Sequence, residues 1–326
     1  MWSPMTKTTL HIVDGDSTGG TLRQSTLRRL GEILSWRDAL YSGPVPAGLS
    51  LRQLSRARSK FWTNGRRSTG FVPRDSVLAR YANYDEVVLW FGSGCTLCEL
   101  SLIQLLSWFG EQRTVPVRLS WVPEHGGILN VEQLVHAYSA RQSVGQPQIR
   151  LAAKAWSAFR SPSPGGLNQL YKRRLQALPG LRNAVGWLLR EYPAVRDGLS
   201  RLQRELLREI SSRRQAKVSV VVAAVLRSEF VGDTFLSDLL QRCLRVEHPL
   251  VTVEPPENTP GRRHLQYQSL VALTDIGKRV LRGKADHVEL NGVDYWIGGV
   301  HLSGNQVRWR WDGRRIVPVK GSKSNA

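Results

Sequence analysis

The 326-residue chain is short of cysteine, short of acidic residues and without a long apolar run, and each shortage excludes something. Cys95, Cys98 and Cys243 are the only cysteines, too few and too odd in number for a disulfide framework, so a reducing cytoplasm is the expected compartment. No apolar stretch approaches a membrane span and no basic-then-apolar secretion signal opens the chain, so no membrane partner is expected. Internal repeats and low-complexity tracts are missing too. Acidic residues number 26 against 46 basic ones, a net charge of +20. Such a surplus attracts polyanions and points to DNA or RNA as a partner. Its bland counterpart is an arginine-rich solvated surface, because the charge is spread along the chain and forms no single tail.

What is present is an ordinary globular composition, 41% hydrophobic and 22% charged, enough for a sizeable core and two domains. Residues 9–13 (TLHIV), 85–91 (DEVVLWF) and 115–122 (VPVRLSWV) are apolar runs of strand length. Each precedes a segment of helical period, at 20–31, 96–109 and 131–140. That alternation predicts an α/β domain over 8–145, built on a Rossmann-like parallel sheet. A weaker strand is expected at 32–36, followed by the loop "WRDALYSGPVP" and by basic helices near 51–62 and 76–81. After Gly145 come three helices, 148–160, 166–177 and 180–191, with no strand among them. Residues 146–196 therefore read as a helical connector, partly packed on the first domain.

Residues 197–285 read as a winged-helix-like domain. "GLSRLQRELLREISS" has Ser200 as its N-cap and spaces Leu199, Leu202, Leu206, Leu207 and Ile210 helically. "KVSVVVAAVLRSE" reads as a second helix, although its β-branched run at 218–222 is ambiguous with a strand. A third helix over 232–245 leads to a strand near 250–253, and "PPENTPGRR" (255–263) suits a wing tip. In "LVALTDIGKRVLRG" a strand enters a helix through "LT", with a small residue one turn later. Such domains bind nucleic acid, or serve as protein-interaction and packing modules. Residues 286–319 alternate like a β-hairpin or short β tail, and "KGSKSNA" is expected to fray.

Taken in order, "LHIVDGDS", "WRDALYSGPVP", "EVVLWF", "AWSAFRSPSP", "GLSRLQRELL", "LTDIGKRVL" and "YWIGGVHL…WRWD" give the chain a family likeness. It resembles the bacterial domain of unknown function 1835 family with its uncharacterised C-terminal companion domain. The likeness spans nearly the whole chain and rests on the order of the motifs. It implies a Rossmann-like N-terminal domain, here carrying Asp14, Gly15, Asp16, Ser17, Asp38, Gly43 and Pro44, and brings no established activity with it. Where that family has acidic or Gln residues after the third strand, this chain has "FGSGCTLCEL".

The strand-to-helix turn at "DGDS" invites two kinds of chemistry. A serine hydrolase needs a histidine base, usually with an Asp three residues before it. None of His248, His264, His287 and His301 has that Asp, and no Gly-x-Asn-Asp block exists. A nucleotide-phosphate loop needs a lysine before Thr21, where Gly20 stands, and the G-x-G-x-x-G spacing is missing. Three readings stay open: Asp16 or Ser17 caps the helix, the turn binds a small ligand through Asp14, Gly15, Asp16, Ser17 and Thr18, or it catalyses. Two carboxylates repel a phosphate unless a metal or an arginine intervenes, and suit a ribose hydroxyl, an amine or Mg²⁺ instead. Loops leaving parallel strands share one edge, which adds Asp38 and Gly43 as ligand residues. Asp38 then either faces Asp14 and Asp16 or caps a turn. Cys95-x-x-Cys98 opens a helix and reads as a redox pair, as a metal site with His125, or as buried packing. No metal site is assigned, and the cofactor is unknown.

For nucleic acid the candidates are Arg201, Arg204 and Arg208, spaced i, i+3, i+7, then Arg262 and Arg263 in the wing tip, and Arg308 and Arg310. The last two alternate with Trp309 and Trp311, either as a stacking platform for bases or as a hairpin that buries its tryptophans and wets its arginines. The leading expectation is a cytoplasmic bacterial nucleic-acid-binding or regulatory protein with a small-ligand crevice for a phosphorylated or nucleotide-like molecule. Two rivals are an enzyme acting on a nucleotide-like or sugar-phosphate substrate at that crevice, with catalytic residues unknown, and a protein-interaction adaptor.

Overall fold

The apolar runs form a sheet buried on both faces, as continuous hydrophobic strands of parallel sheets do. The structure, a computed structural model, describes residues 9–63, 70–112, 118–123, 129–254 and 265–319. In chain order its first elements are β1 (Thr9–Val13), α1 (Asp16–Gln24), β2 (Gly31–Ser35), α2 (Leu51–Trp62), α3 (Phe71–Leu78), β3 (Glu86–Trp90), α4 (Thr96–Gly110), β4 (Arg118–Val122) and α5 (Val131–Ser139). There follow β5 (Gln142–Ser143), α6 (Gln146–Arg160), α7 (Gly165–Tyr171) and α8 (Leu181–Arg190). The sheet order is β2-β1-β3-β4-β5. Its first four strands are parallel, and two-residue β5 adds an antiparallel edge that no periodicity announced. Val13 stands opposite Ser35 and Trp90. On one face Val13, Val88, Trp90 and Val122 pack with Leu22, Leu27, Leu134 and Ala137 from the helical segments.

Three details differ from the periodicity, one being that the helix expected near 76–81 lies at Phe71–Leu78, ahead of a 3-10 turn over Tyr81–Asn83. The first helix begins at Asp16 rather than near residue 20, and a 3-10 turn over Thr26–Arg29 completes the span. Gly19 and Gly20 thus lie inside α1, where a glycine lets the helix approach the sheet: a Cβ on Gly19 would meet Ser35 Oγ at 3.1 Å. The helix expected at 166–177 ends at Tyr171.

The chain divides into two compact units. One holds the described residues up to Gly186 together with Trp296–Val300, and the other holds Trp187–Tyr295 and the described residues from His301 onward. The segment read as a connector is therefore shared out, residues 146–186 belonging to the first unit.

The second unit contains α9 (Arg201–Arg213), β6 (Gln215–Lys217), α10 (Val218–Leu226), α11 (Asp233–Leu244), β7 (Val251–Glu254), β8 (Leu270–Leu273), α12 (Asp275–Leu281) and α13 (His287–Asn291). β9 (Val293–Ile297), β10 (Val300–Gly304), β11 (Trp309–Trp311) and β12 (Ile316–Pro318) complete the chain order, with parts of β9 and β10 counted in the first unit. Its three-stranded sheet is antiparallel with order β6-β8-β7. The ambiguous valine run is helical throughout: the strand ends at Lys217 and the helix starts at Val218. Val218, Val221, Val222 and Val225 are buried at helical spacing while Val220 is exposed. α13 interrupts what read as a β tail. Residues 255–263, Arg262 and Arg263 among them, lie outside the described residues, as does all of "KGSKSNA". Among the described residues no helix is long and apolar enough to cross a membrane.

The "LT…G" pattern has a concrete cause. Thr274 caps α12, its hydroxyl accepting from the Gly277 N–H and donating to the Pro249 carbonyl at 2.7 Å. Gly277 is needed because a Cβ there would stand 2.0 Å from the Leu250 carbonyl oxygen.

Candidate functional site

In the order β2-β1-β3, the chain leaves β1 for one neighbour and returns to the other, so the loops after β1 and β3 part at the sheet's carboxyl edge. That switch point is where open α/β sheets bind ligands. From β1 comes Asp14. Thr18 Oγ1, buried one helical turn on, donates to Asp14 Oδ1 at 2.6 Å, and Cys98 Sγ lies 3.3 Å from Asp14 Oδ2 as a donor. Cys98 belongs to the first turn of α4, which follows β3, so both sides of the switch point meet at Asp14. Cys95 is the N-cap of α4, its sulfur accepting from the Cys98 N–H at 3.4 Å.

The hydrogen bond with Cys95, then burial and the neighbouring Asp14, hold the Cys98 thiol far above the usual thiol range. Cys98 therefore stays protonated and acts as a donor. Among the described residues no three His, Cys, Asp or Glu side chains are grouped to hold a metal, and His125 lies outside those residues.

One helical turn after Cys95 sits Glu99, 1% exposed, its carboxyl paired with no side chain among the described residues. Burial pushes its pKa up to about 8, the Cys95 sulfur adding to the rise and the Gly94 backbone N–H opposing it. At neutral pH the start of α4 thus holds a protonated carboxyl beside the Cys95 thiol. Sequence reasoning passed over Glu99, although it is the lone acid in the apolar helix "TLCELSLIQLLSWFG".

The remaining candidates near the turn are placed differently. Gly15 occupies the N-cap position of α1 and no side chain caps the helix, so neither Asp16 nor Ser17 is the cap. Asp16 instead pairs on the surface with Arg37, 2.5 Å away, and the carbonyl of exposed Ser17 accepts from Thr21 Oγ1. Arg37 thus offsets the Asp16 carboxylate, while Asp14 is engaged by Thr18 and Cys98. Asp38 does not face Asp14 and Asp16 from an open loop. It is buried against Arg58 of α2, which donates to it through Nε and NH2 and to the Ser42 and Ala39 carbonyls. Gly43 belongs to the same packing: its φ is +80°, and a Cβ would stand 2.4 Å from the Phe61 ring. The "WRDALYSGPVP" loop is held by the core, with Trp36 Nε1 donating to Gln104 Oε1 at 2.9 Å.

The arginines proposed for nucleic acid divide in the same way. Arg201 is half-buried among Glu191, Glu205 and Glu229, and Arg204 pairs at 2.6 Å with the fully buried Asp197. Arg310 is buried with Asp286 at 3.1 Å while Trp309 and Trp311 stay partly exposed, the reverse of a hairpin that wets its arginines. Arg208 and Arg308 are exposed, Arg308 lying over the Trp309 ring at 4.8 Å. Buried cations need counter-ions, so Arg201, Arg204 and Arg310 are committed within the fold. No family model matches the chain, and no curated protein is found to match it.

Proposed function

We propose that the chain is a nucleic-acid-binding protein with a small-ligand crevice at the β1/β3 edge, the likeness to the domain of unknown function 1835 family being part of the same proposal. The observation that carries it is the element order α9-β6-α10-α11-β7-β8 with sheet order β6-β8-β7, the order of a winged helix, in a chain of net charge +20. The usual groove-reading helix of that arrangement is α11, yet it offers Asp233 and Asp238 outward, and Arg242 is tied to Asp238. Phosphate contacts are assigned instead to the exposed cations at the end of α12: Lys278, Arg279, Arg282 and Lys284. Lys278 is only loosely engaged by the solvent-exposed Asp275.

Binding to labelled duplex DNA and to RNA, each measured at about 50 and 200 mM salt, tests the reading. The expected result is affinity that falls steeply with salt. Replacing Arg279 and Arg282 with Ala reduces the slope of log affinity against log salt by roughly one for each residue. Absence of salt-sensitive binding to either polymer overturns the function, and an unchanged slope overturns the residue assignment.

Protonated Glu99, buried beside Cys95 at the start of α4, favours a second reading, an enzyme acting on a nucleotide-like or sugar-phosphate substrate. A carboxyl that keeps its proton at neutral pH can serve as a general acid. Thermal stability unchanged by nucleotides, sugar phosphates and divalent metals counts against it.

A further inference from the structure

A cavity of about 520 Å³ opens within the second unit, lined by Gln203 of α9, Arg242 and Arg245 at the end of α11, His287 and Asn291 of α13, and Ser303 among others. Its volume is that of a small-molecule site. The question is which ligand chemistry its wall selects, and the hydrogen bonds answer it.

Asn291 cannot flip. Its Oδ1 accepts from the His248 N–H at 2.8 Å, and its Nδ2 donates to the His248 carbonyl at 3.0 Å. The same Nδ2 lies 3.1 Å from His287 Nδ1, so that ring nitrogen is the acceptor and the imidazole proton sits on Nε2. Burial lowers the His287 pKa to about 4, which keeps the ring neutral and the tautomer set. No described residue accepts from Nε2, which leaves that N–H as the donor the ring offers to the cavity. The ring is only 2% exposed, so it is positioned by the fold rather than by solvent.

Three other lining side chains carry donors as well. Arg245 is exposed and has no ion pair among the described residues. Arg242 spends Nε and NH2 on Asp238 and lies 5.8 Å from the Tyr295 ring, leaving NH1. Ser303 contributes a hydroxyl. The acid on the wall, Asp294, is already engaged with His301 at 2.7 Å. Among the described lining residues, two guanidiniums, one imidazole N–H and one hydroxyl face the cavity, and the one carboxylate, Asp294, is engaged with His301.

We propose that this cavity binds a small organic phosphate monoester, with Arg245 and Arg242 holding the phosphate and the His287 Nε2–H donating to one of its oxygens. Donors arriving from several directions suit the three terminal oxygens of a tetrahedral dianion better than a planar carboxylate, and guanidiniums favour such oxyanions. The volume exceeds what a bare phosphate fills, which leaves room for the organic part.

The test is calorimetric titration of the full chain with adenosine monophosphate, adenosine and citrate. The expected result is millimolar or tighter affinity for the monophosphate, with neither adenosine nor citrate matching it. Arg245→Ala, an exposed substitution that leaves the core alone, weakens the monophosphate about tenfold or more. Arg279→Ala with Arg282→Ala leaves it unchanged, which separates this site from the surface proposed for nucleic acid. In ¹⁵N spectra the His287 Nε2 resonance moves on adding ligand while Nδ1 keeps its acceptor position. No binding of the monophosphate overturns the proposal, as does equal affinity in Arg245→Ala, an unmoved His287 signal, or tighter binding of citrate.

Discussion

Asp38→Ala removes the carboxylate that meets Arg58 inside the first unit. The Arg58 and Asp38 side chains are 0% and 1% exposed and 2.6 Å apart. After the substitution Arg58 keeps its hydrogen bonds to the Ser42 and Ala39 carbonyls, so its donors are partly satisfied, but its charge has lost its counter-ion. Removing one partner of a buried pair costs about 3–5 kcal/mol, whereas replacing both with well-packed apolar groups is often near neutral. In a body of this size each kcal/mol moves the melting point by about 2–4 °C, so a drop of roughly 6–20 °C is expected. Asp16→Ala is the control, since its pair with Arg37 is 61% and 67% exposed and such pairs contribute at most about 1 kcal/mol. Urea unfolding followed by tryptophan fluorescence reports the change, with Trp62 as a local probe because its Nε1 lies 3.4 Å from Asp38. The double variant Asp38→Leu, Arg58→Met recovers most of the loss. A single-variant cost below about 1 kcal/mol, or a double variant no more stable than the single, refutes the core-pair reasoning and returns Asp38 to the crevice.

Three further outcomes follow from buried groups. Gly277→Ala forces a Cβ toward the Leu250 carbonyl and destabilises the second unit by about 1–3 kcal/mol or more; wild-type stability in chemical denaturation would contradict the packing described. Glu99 has its folded pKa raised from 4.5 to about 8, so the native state holds a proton that the unfolded chain has released. Its contribution is complete below pH 4.5 and is lost as pH rises through 8, and Glu99→Gln flattens that decline; parallel profiles for variant and wild type would sink the argument. His11 and His287, one in each unit, have pKa values lowered from 6.5 to about 4 by burial, so the unfolded chain takes up protons first. Stability present above pH 6.5 is then lost as pH falls through 4, and ring ¹⁵N shifts that report charged imidazoles at pH 5.5, between those two values, would rule this out.

Much of the first sheet was legible because central parallel strands are covered on both faces and so read as unbroken apolar runs. β1 and β3 coincide with "TLHIV" and the core of "DEVVLWF". Helix α9 was legible from its N-cap and spacing: Ser200 accepts from the Gln203 N–H, and the leucines expected inside are buried. The Gly19-Gly20 pair misled because glycine marks both turns and close helix-to-sheet approach, and only the neighbour across the gap distinguishes them. At the candidate site, Asp14 was named from the turn, but its partner Cys98 lies 84 residues further on. Nothing local reports such a contact. The arginines failed for a related reason, since i, i+3, i+7 spacing says which residues share a face but not whether acids from elsewhere cover it.

Sequence alone determined the elements whose causes lie within a few residues: apolar strands, capped helices, the "LT…G" entry to α12 and the overall cationic surplus. These follow from backbone hydrogen bonding, side-chain periodicity and composition, which act locally or globally without reference to particular long-range partners. Tertiary structure decided the fate of the charged and polar groups. It buried Asp38 with Arg58, Asp197 with Arg204 and Asp286 with Arg310, drew Cys98 to Asp14, and fixed the His287 tautomer through Asn291 and the His248 backbone. A charge leaves water only where a counter-charge or donor is supplied, and apart from Asp197 and Arg204, seven residues apart, those partners come from segments distant in sequence.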